Sequence, residues 1–247
     1  MSDTWSPSQY EKFKDQRSQP FWDLLALVQG QEQRYVVDLG CGTGELTQGL
    51  HQKLKAKSTI GIDSSAKMLE KAESFKTPGL SFTKADIGTF VPSAKCDLVF
   101  SNAALQWLPN HRDLFIRLAS FVAPNGEIAV QMPANHDHPS HRIAREIAGK
   151  DARETSVLPV EEYAELFHDL GFVQSHARVQ VYGHPMEASE QVIEWVRGTT
   201  LTEYEKKFSP PDFEKFLAEY RKRLLGEIGV GPYFYAFKRI LLWAKRA

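Results

Sequence analysis

Apolar runs that are typical of β-strands alternate with helix-like stretches over residues 33–133, and this alternation constrains the fold more than any other feature. The strand candidates are residues 35–39, 58–63, 80–86, 96–102 and 126–133. The stretches between them carry apolar residues at the spacing of one helix face. Strands separated by helices form a parallel sheet with helices on both faces. The sequence therefore predicts an α/β fold with a doubly wound, mostly parallel sheet.

The remainder of the chain is mainly helical and supplies the last two strands of a seven-stranded sheet. Helices are expected at residues 139–149, 160–169, 187–198 and 211–227. Strands are expected at residues 172–183 and 237–247, and the second of them is expected to close the sheet edge. Ligands of such sheets bind beyond the carboxyl ends of the strands, so the added helices are expected to lie over that edge.

Composition places the chain among ordinary globular proteins. Its 247 residues, with 42% hydrophobic and 25% charged, are enough for a full core. The formal net charge of -1 gives no overall attraction to nucleic acid or to an anionic membrane. Cys41 and Cys96 form no CxxC pair, so neither a disulfide framework nor structural zinc is indicated. No apolar leader or membrane-length run occurs, which predicts a cytoplasmic protein. A monomer is expected.

Three glycines at every second position follow the first strand, in the stretch VVDLGCGTGEL. Gly40, Gly42 and Gly44 lead from that strand into a helix. Without a Cβ, such residues let the backbone turn tightly and let a ligand approach. The spacing GxGxG differs from the dinucleotide pattern GxGxxG, whose third glycine comes one place later. The loop alone leaves open a turn without any ligand.

An aspartate stands at the end of each of the first three strand candidates. Asp38, Asp63 and Asp86 would therefore lie around one crevice at the carboxyl edge of the sheet. Asp63 is placed to accept hydrogen bonds from two ribose hydroxyls, and Asp86 from an exocyclic amine such as that of adenine. An acid here would repel a pyrophosphate, whereas it suits a sulfonium and an ammonium group. A strand-end or N-cap role explains one such acid more readily than all three.

These motifs resemble those of the class I S-adenosylmethionine-dependent methyltransferases. VVDLGCGTGEL resembles their first motif, GIDSSAKML the second, KADI the third and CDLVFSNAALQWL the fourth. The resemblance covers residues 33–133 and implies a Rossmann-like methyltransferase fold with S-adenosyl-L-methionine as cofactor. The cofactor-binding residues that it implies are Arg17, Asp38, Gly40, Cys41, Gly42, Gly44, Asp63, Ser64, Met68, Asp86, Ile87, Asn102 and Ala103.

Further stretches are similar to the trans-aconitate methyltransferases. They are TWSPSQYEKFKDQRSQPFWDLL, SNAALQWLPNHRDLF, QMPAN, and VYGHPM with EWVRGT. This resemblance implies an enzyme that esterifies one carboxylate of a small polycarboxylic acid, trans-aconitate. It implies one domain over residues 1–247, made of a helical lid, a cofactor-binding core, substrate-side helical additions with one strand, and a final edge-region strand. Their bounds are 1–30, 33–133, 134–236 and 237–247.

The implied chemistry requires no general base, because a carboxylate with a pKa of roughly 4 is already ionised at neutral pH. Catalysis would rest on positioning the reactants and excluding water, so no obligatory catalytic residue is expected. Positioning is assigned to Tyr10, Gln106 and Trp107, although packing is the favoured role of Trp107. The other carboxylates call for donors, ideally arginines. The substrate candidates are Tyr10, His184, Trp195, Arg197 and Arg239.

Among the substrate candidates, Arg197 is the first choice for a carboxylate contact and Arg239 the second, with a surface position open for each. His136, His138 and His141 lie close together, but no acids stand at ligand spacing beside them. We expect these histidines to be solvated or to contact an anion, and we expect no metal. Cys41 is expected to be a small buried filler of the glycine loop.

Several other functions stay open at this point. The chain could methylate a different small molecule, at oxygen, nitrogen or carbon. It could be an NAD-dependent oxidoreductase on a similar sheet, or a non-catalytic module that binds the cofactor. Methylation of nucleic acid or protein is less favoured, because the composition shows no basic face.

Overall fold

Residues 14–30, 34–152 and 155–247 are described by the computed structural model of this chain. Their strands form one seven-stranded sheet in the order β3-β2-β1-β4-β5-β7-β6. The strands are β1 Tyr35–Leu39, β2 Ser58–Asp63, β3 Leu80–Lys84, β4 Cys96–Asn102, β5 Val122–Pro133, β6 Gln174–Met186 and β7 Tyr233–Lys245. The pairs among β1 to β5 are parallel, and β7 runs antiparallel to both of its neighbours, β5 and β6. The predicted α/β fold with a seven-stranded, mostly parallel sheet is confirmed.

Helices cover both faces of the sheet, because both faces of its central strands are apolar. The α-helices of the described residues up to 170 are α1 Lys14–Leu25, α2 Glu45–Lys53, α3 Ala66–Ala72, α4 His111–Phe121, α5 Pro139–Ala148 and α6 Val160–Asp169. Successive residues of a strand point to opposite faces. In β1, Val37 therefore packs in a core with α4 and α6, whereas Val36 packs in another with α1 and α2. Both valines are fully buried.

A third apolar core joins the helical additions to the end of β7. The remaining helices are α7 Glu190–Arg197, α8 Leu201–Lys207 and α9 Pro210–Ile228. Helices α5, α7, α8 and α9 bury their apolar faces together against Tyr235 and Phe237 of β7. This layer is built without side chains of β1 to β5. The strand β7 thus connects the sheet to a separate helical layer.

Two details of the additions differ from the sequence-based expectation. The last strand begins at Tyr233 and lies between β5 and β6, so the expectation that it closes the sheet edge is wrong. Residues 240–244 are all buried, which fits an inner strand covered on both faces. Helix α8 was not predicted, because its seven residues are too few to show a helical period. In the part of the chain that the structure describes, no helix is long and apolar enough to span a membrane.

A buried carboxylate ties the segment before β1 to the middle of the sheet. Glu127 of β5 is fully buried and accepts a hydrogen bond from Arg34 Nη2 at 2.9 Å. The same carboxylate accepts the backbone N–H of Gln29 at 2.9 Å and Nε1–H of Trp243 at 2.7 Å. Three donors compensate for the loss of hydration, since an unpaired buried charge is costly.

We expect Glu127→Ala to lower the free energy of unfolding by about 3 kcal/mol or more, because it leaves the Arg34 guanidinium buried without its counter-charge. Urea unfolding followed by circular dichroism would measure the change. Glu162→Ala is the matched control, since Glu162 pairs with Arg112 at the surface and its loss should cost far less. Equal losses in the two variants would contradict a structural role for the buried pair.

Candidate active site

The glycine loop takes a left-handed backbone at all three glycines. The φ angles are 84° at Gly40, 56° at Gly42 and 80° at Gly44, values that residues with a Cβ rarely adopt. A Cβ on Gly40 would lie 2.3 Å from Cβ of Ala104, whereas one on Gly42 would meet nothing within 4 Å. Gly40 therefore lets the loop pack against the chain after β4, and Gly42 leaves open space above the loop.

Gly44 has a packing role in this structure. A Cβ there would lie 2.8 Å from Cβ of Ala72 and 2.8 Å from the ring of Phe82. The residue precedes α2 and sits against α3 and β3, so its missing side chain allows close helix–strand packing. It does not border the cavity described below, although the family resemblance implied a cofactor contact.

Asp63 joins the loop after β1 to the loop after β2. Its carboxylate accepts the N–H of Gly42 at 2.9 Å and the N–H of Ser65 at 2.8 Å. Ser65 in turn caps α3 by accepting the N–H of Met68 at 3.2 Å. A carboxylate has about four lone-pair sites, so further donors can still reach Asp63 from the open side.

Asp38 is a buried carboxyl group under the same loop. It is 3% exposed, and Oγ1–H of Thr47 donates to its Oδ2 at 2.6 Å. Burial raises the pKa of Asp38 to about 7, and the nearby charge of Asp63 acts in the same direction. The hydrogen bond from Thr47 opposes this rise in pKa. A cation placed beside Asp38 would therefore stabilise a carboxylate that the protein alone leaves half protonated at neutral pH.

A cavity of about 380 Å³ opens beyond the carboxyl ends of β1, β2 and β4, and we call it the donor cavity. Four carboxyl groups line it, those of Asp38, Asp63, Asp86 and Glu203. The described residues that line it include no lysine, arginine or histidine. The cavity is thus strongly acidic and suits a ligand that carries positive charge.

Most of the residues proposed for the cofactor border this cavity. They are Asp38, Gly40, Cys41, Gly42, Asp63, Ser64, Met68, Asp86, Ile87, Asn102 and Ala103. Cys41 is 8% exposed, and burial with two neighbouring carboxylates raises the pKa of its thiol far above the usual range. It is therefore inert as a nucleophile. The side chain of Arg17 lies outside the described residues.

A second cavity of about 160 Å³ lies beside the first, and we call it the acceptor cavity. The side chains of Arg145 in α5 and Arg239 in β7 both line it. Asparagine, histidine, threonine and tyrosine side chains add hydrogen-bonding groups to its wall. None of the described residues that line it is acidic. This cavity therefore suits an anionic ligand with several oxygen atoms.

Arg239 is only 5% exposed, and neighbouring side chains fix its guanidinium. Its Nη1–H donates to Oε1 of Gln131 on the neighbouring strand at 3.3 Å. Its guanidinium lies 4.9 Å from the ring centroid of Phe237 and 6.0 Å from that of Tyr182. Stacking and the hydrogen bond to Gln131 fix the position of its guanidinium.

Two histidines of the cluster after β5 also line the acceptor cavity. They are His136 and His141, and Arg145 donates from Nη2 to the carbonyl of His136 at 2.7 Å. Burial lowers the pKa of His136, and it lowers the pKa of His141 to about 3 with the help of neighbouring cationic groups. Neutral imidazoles thus face the cavity. No group in the described ranges has the histidines, cysteines and acids to hold a metal ion.

The proposed substrate residues fall into different places. Trp195 and Arg239 line the acceptor cavity, as do the proposed positioning residues Gln106 and Trp107. His184 lies behind that wall, where it is buried with its ring 4.6 Å from Trp195. Burial and Arg239 lower its pKa to about 4. Tyr10 lies outside the described residues.

Arg197, the first choice from the sequence, does not reach the acceptor cavity. It is exposed at the end of α7, whose buried face carries Val192, Trp195 and Val196. One residue further along a helix turns about 100° away from that face. Arg145 lines the acceptor cavity instead. It was not predicted because no motif surrounds it. Glu203 and Tyr204 were missed because α8 itself was missed.

The two cavities meet at Ala103 and Trp107, which line both of them. Ala103 follows β4 with φ of 54°, a strained value for a residue with a Cβ. Its N–H donates to the carbonyl of Gln131 at 2.9 Å, and its carbonyl accepts Nε2–H of Gln106 at 2.7 Å. These bonds hold the junction in place, so ligands in the two cavities would face each other there.

The chain is similar to known methyltransferases in sequence and in fold. The methyltransferase domain family matches residues 11–176. A trans-aconitate 2-methyltransferase of Deinococcus radiodurans is 42% identical over 256 residues, covering 98% of each chain. The YcgJ protein of Bacillus subtilis shares the fold with a TM-score of 0.62 at 17% identity, covering 92% of this chain and 98% of that one.

Another solved structure with this fold is phosphoethanolamine N-methyltransferase 2 of Haemonchus contortus in complex with S-adenosyl-L-methionine. Its TM-score is 0.58 at 16% identity, covering 93% of this chain and 52% of that one. At such low identity the two solved structures support the fold alone. The match to the domain family and the near full-length similarity to the Deinococcus enzyme show more. This chain belongs to the methyltransferase family, in the group of the trans-aconitate 2-methyltransferases.

Proposed function

We propose that this protein is an S-adenosylmethionine-dependent O-methyltransferase that esterifies one carboxylate of trans-aconitate. The observation that carries the proposal is the pair of adjoining cavities with opposite charge. The donor cavity has four carboxyl groups and the acceptor cavity has two guanidinium groups. A cationic methyl donor and a polyanionic acceptor would each enter the cavity of opposite charge and meet at Ala103.

The donor cavity has the groups that S-adenosylmethionine requires. Asp63 offers acceptor sites for ribose hydroxyls, and Asp86 offers one for the adenine amine. Oδ1 of Asn102 is buried and accepts no hydrogen bond from the rest of the described chain, so it is ready for a donor such as an ammonium group. When bound, the cofactor supplies an electrophilic methyl group. The match to the methyltransferase domain family supports a methyl-donor cofactor in this cavity.

The acceptor cavity supplies orientation, and the reaction needs no proton transfer from the protein. The attacking carboxylate is ionised above a pH of roughly 4. Arg145 and Arg239 would hold the other carboxylates of the acid and so aim the free one at the junction. Trp107 walls both cavities and keeps water from the reacting oxygen.

The test is a methyl-transfer assay with purified protein, methyl-labelled S-adenosylmethionine and single acids. We expect a trans-aconitate methyl ester in the mass spectrum, slower reaction with citrate, and none with a monocarboxylic acid of similar size. Cofactor binding without an ester from any polycarboxylic acid would refute the proposed substrate class. Binding of NAD but not of S-adenosylmethionine in calorimetric titration would refute the methyltransferase reaction itself.

The pKa of Asp38 gives a pH dependence for cofactor affinity. The carboxyl group must be ionised to pair with the cofactor ammonium group, and its pKa is raised to about 7 in the free protein. Below that pH, binding must release a proton, so the affinity falls as the pH falls. We expect calorimetry to show an affinity about tenfold lower at about pH 6 than at about pH 8.

Asp38→Asn should abolish most of this pH dependence and bind weakly at both values. Asp97→Asn is the matched control. Asp97 lies at the amino end of β4, opposite to the donor cavity, and accepts the N–H of Tyr35 at 2.8 Å. It should keep the wild-type profile. A flat profile in the wild-type protein would show that Asp38 does not face the cofactor cation.

A further inference from the structure

A buried serine stands at the centre of a hydrogen-bond network directly behind the acceptor cavity. Ser140, in the first turn of α5, is fully buried. Its Oγ lies 3.0 Å from the hydroxyl of Tyr235, 2.9 Å from Nδ1 of His138 and 3.0 Å from Nδ1 of His141. Only His141 of these partners lines the acceptor cavity. The direction of each hydrogen bond therefore decides what His141 offers to a ligand.

The direction of the bond from Tyr235 follows from its other partner. Oδ1 of Asn135 accepts the N–H of Lys238 at 3.0 Å, which fixes the orientation of the amide. Nδ2–H of Asn135 then donates to the Tyr235 hydroxyl at 3.3 Å. Since an amide nitrogen cannot accept, the proton of the tyrosine hydroxyl must go to Oγ of Ser140.

The proton of Ser140 then has two possible acceptors, the Nδ1 atoms of His138 and His141. Nδ1 of His138 already accepts the backbone N–H of Ser140 at 3.1 Å, as the N-cap of α5. An unprotonated imidazole nitrogen has one lone pair, so that acceptor is taken. The other ring nitrogen of His138, Nε2–H, donates to the hydroxyl of Tyr233, 3.0 Å away. Nδ1 of His141 is the acceptor that is left for the serine hydroxyl.

We infer that Ser140 is a positioning residue that fixes His141 as the Nε2–H tautomer, so that His141 donates a hydrogen bond to a carboxylate oxygen of the acceptor. This inference rests on the proposed function for the identity of the ligand. Because His141 remains neutral, the cavity that Arg145 and Arg239 also line gains a directed donor without a third positive charge. A neutral donor favours an anionic oxygen over an amine and does not attract extra anions.

The tautomer can be measured without any substrate by NMR of protein labelled with ¹⁵N-histidine. The His141 signals are identified as those lost in His141→Asn. We expect Nε2–H in the wild-type protein and a mixture of tautomers in Ser140→Ala. Ser189→Ala is the matched control, because Ser189 is equally buried in the additions but donates to the carbonyl of Gly231. A wild-type Nδ1–H tautomer, or no change in Ser140→Ala, would overturn the inference.

Kinetics then test the contact with the acceptor. Ser140→Ala should raise the KM for trans-aconitate about tenfold while the Kd for S-adenosylmethionine stays within about twofold. His141→Gln places an amide N–H near the position of Nε2 and should keep a lower KM than His141→Asn. An unchanged KM in Ser140→Ala would refute the positioning role. If the wild-type protein esterified no acid, the proposed function would fail, whereas the NMR result would still decide the tautomer.

Discussion

Arg239→Met is expected to raise the KM for trans-aconitate about 100-fold or more, with the Kd for S-adenosylmethionine unchanged within about twofold. The guanidinium is buried, stacks on Phe237 and is held by Gln131 where Arg239 lines the acceptor cavity. Charged hydrogen bonds in a desolvated site are among the strongest that a protein makes. Steady-state kinetics with varied acid would measure the loss.

Two other variants make this result specific. Arg197→Met is the matched control, since Arg197 is exposed at the end of α7 and does not line the cavity, and its KM should stay within about twofold of wild type. Arg239→Lys should lie between, because an ammonium keeps the charge but loses the planar fork. Methionine replaces a buried charge by an apolar chain of similar length, so folding should persist. A large loss in Arg197→Met with none in Arg239→Met would reverse the assignment of the acceptor cavity.

Asp63→Ala is expected to weaken S-adenosylmethionine binding about 100-fold or more. The carboxylate holds the N–H groups of Gly42 and Ser65 at 2.9 and 2.8 Å, so its removal releases two loops of the donor cavity together. The variant also loses the acceptor that we propose for the ribose hydroxyls. Calorimetric titration would measure the change in Kd.

Asp97→Ala serves as the matched control for Asp63→Ala. Asp97 also accepts a backbone N–H, that of Tyr35, but it lies at the opposite end of the parallel strands. Its removal should lower the melting temperature while the Kd stays near the wild-type value. If both variants weakened binding equally, general destabilisation would explain the effect and Asp63 would have no special role.

The donor cavity shows how far local patterns extend. Asp38, Asp63 and Asp86 end successive strands, and parallel strands bring their carboxyl ends to one edge of the sheet. The alternation of strands and helices is therefore enough to predict that these acids lie close together. Gly44 shows the limit of a motif, because the same glycine pattern contains one residue that serves packing between α2, α3 and β3.

The apolar run of the last strand, β7, indicates an inner position in the sheet. The residues of β7 from Ile240 to Ala244 are continuously apolar and all buried. A continuous apolar run is typical of a strand covered on both faces, whereas alternation is typical of one with an exposed face. Weighing that run more heavily would have placed the strand inside the sheet. Its position between β5 and β6 still depends on pairing with residues that are at least 47 positions away, the separation of Met186 from Tyr233.

The acceptor cavity could not be predicted at the level of single residues. Arg145 comes from α5, Trp195 from α7, Tyr204 from α8 and Arg239 from β7, elements that pack around one apolar core of the additions. Which face of each helix points inward is decided by that packing. The stretch EWVRGT favoured Arg197 over Arg145, but of the two only Arg145 lies on the side of its helix that borders the cavity.

The sequence by itself determined the parallel part of the sheet, the glycine loop and the acids that line the donor cavity. Those features follow from short-range rules, namely the period of a strand or helix, the freedom of glycine and the common edge of parallel strands. Tertiary structure alone decided which arginines and histidines line the acceptor cavity, and that Ser140 contacts His141. The physical reason is that these groups come together only through contacts between the helical layer and β7, which no local pattern encodes.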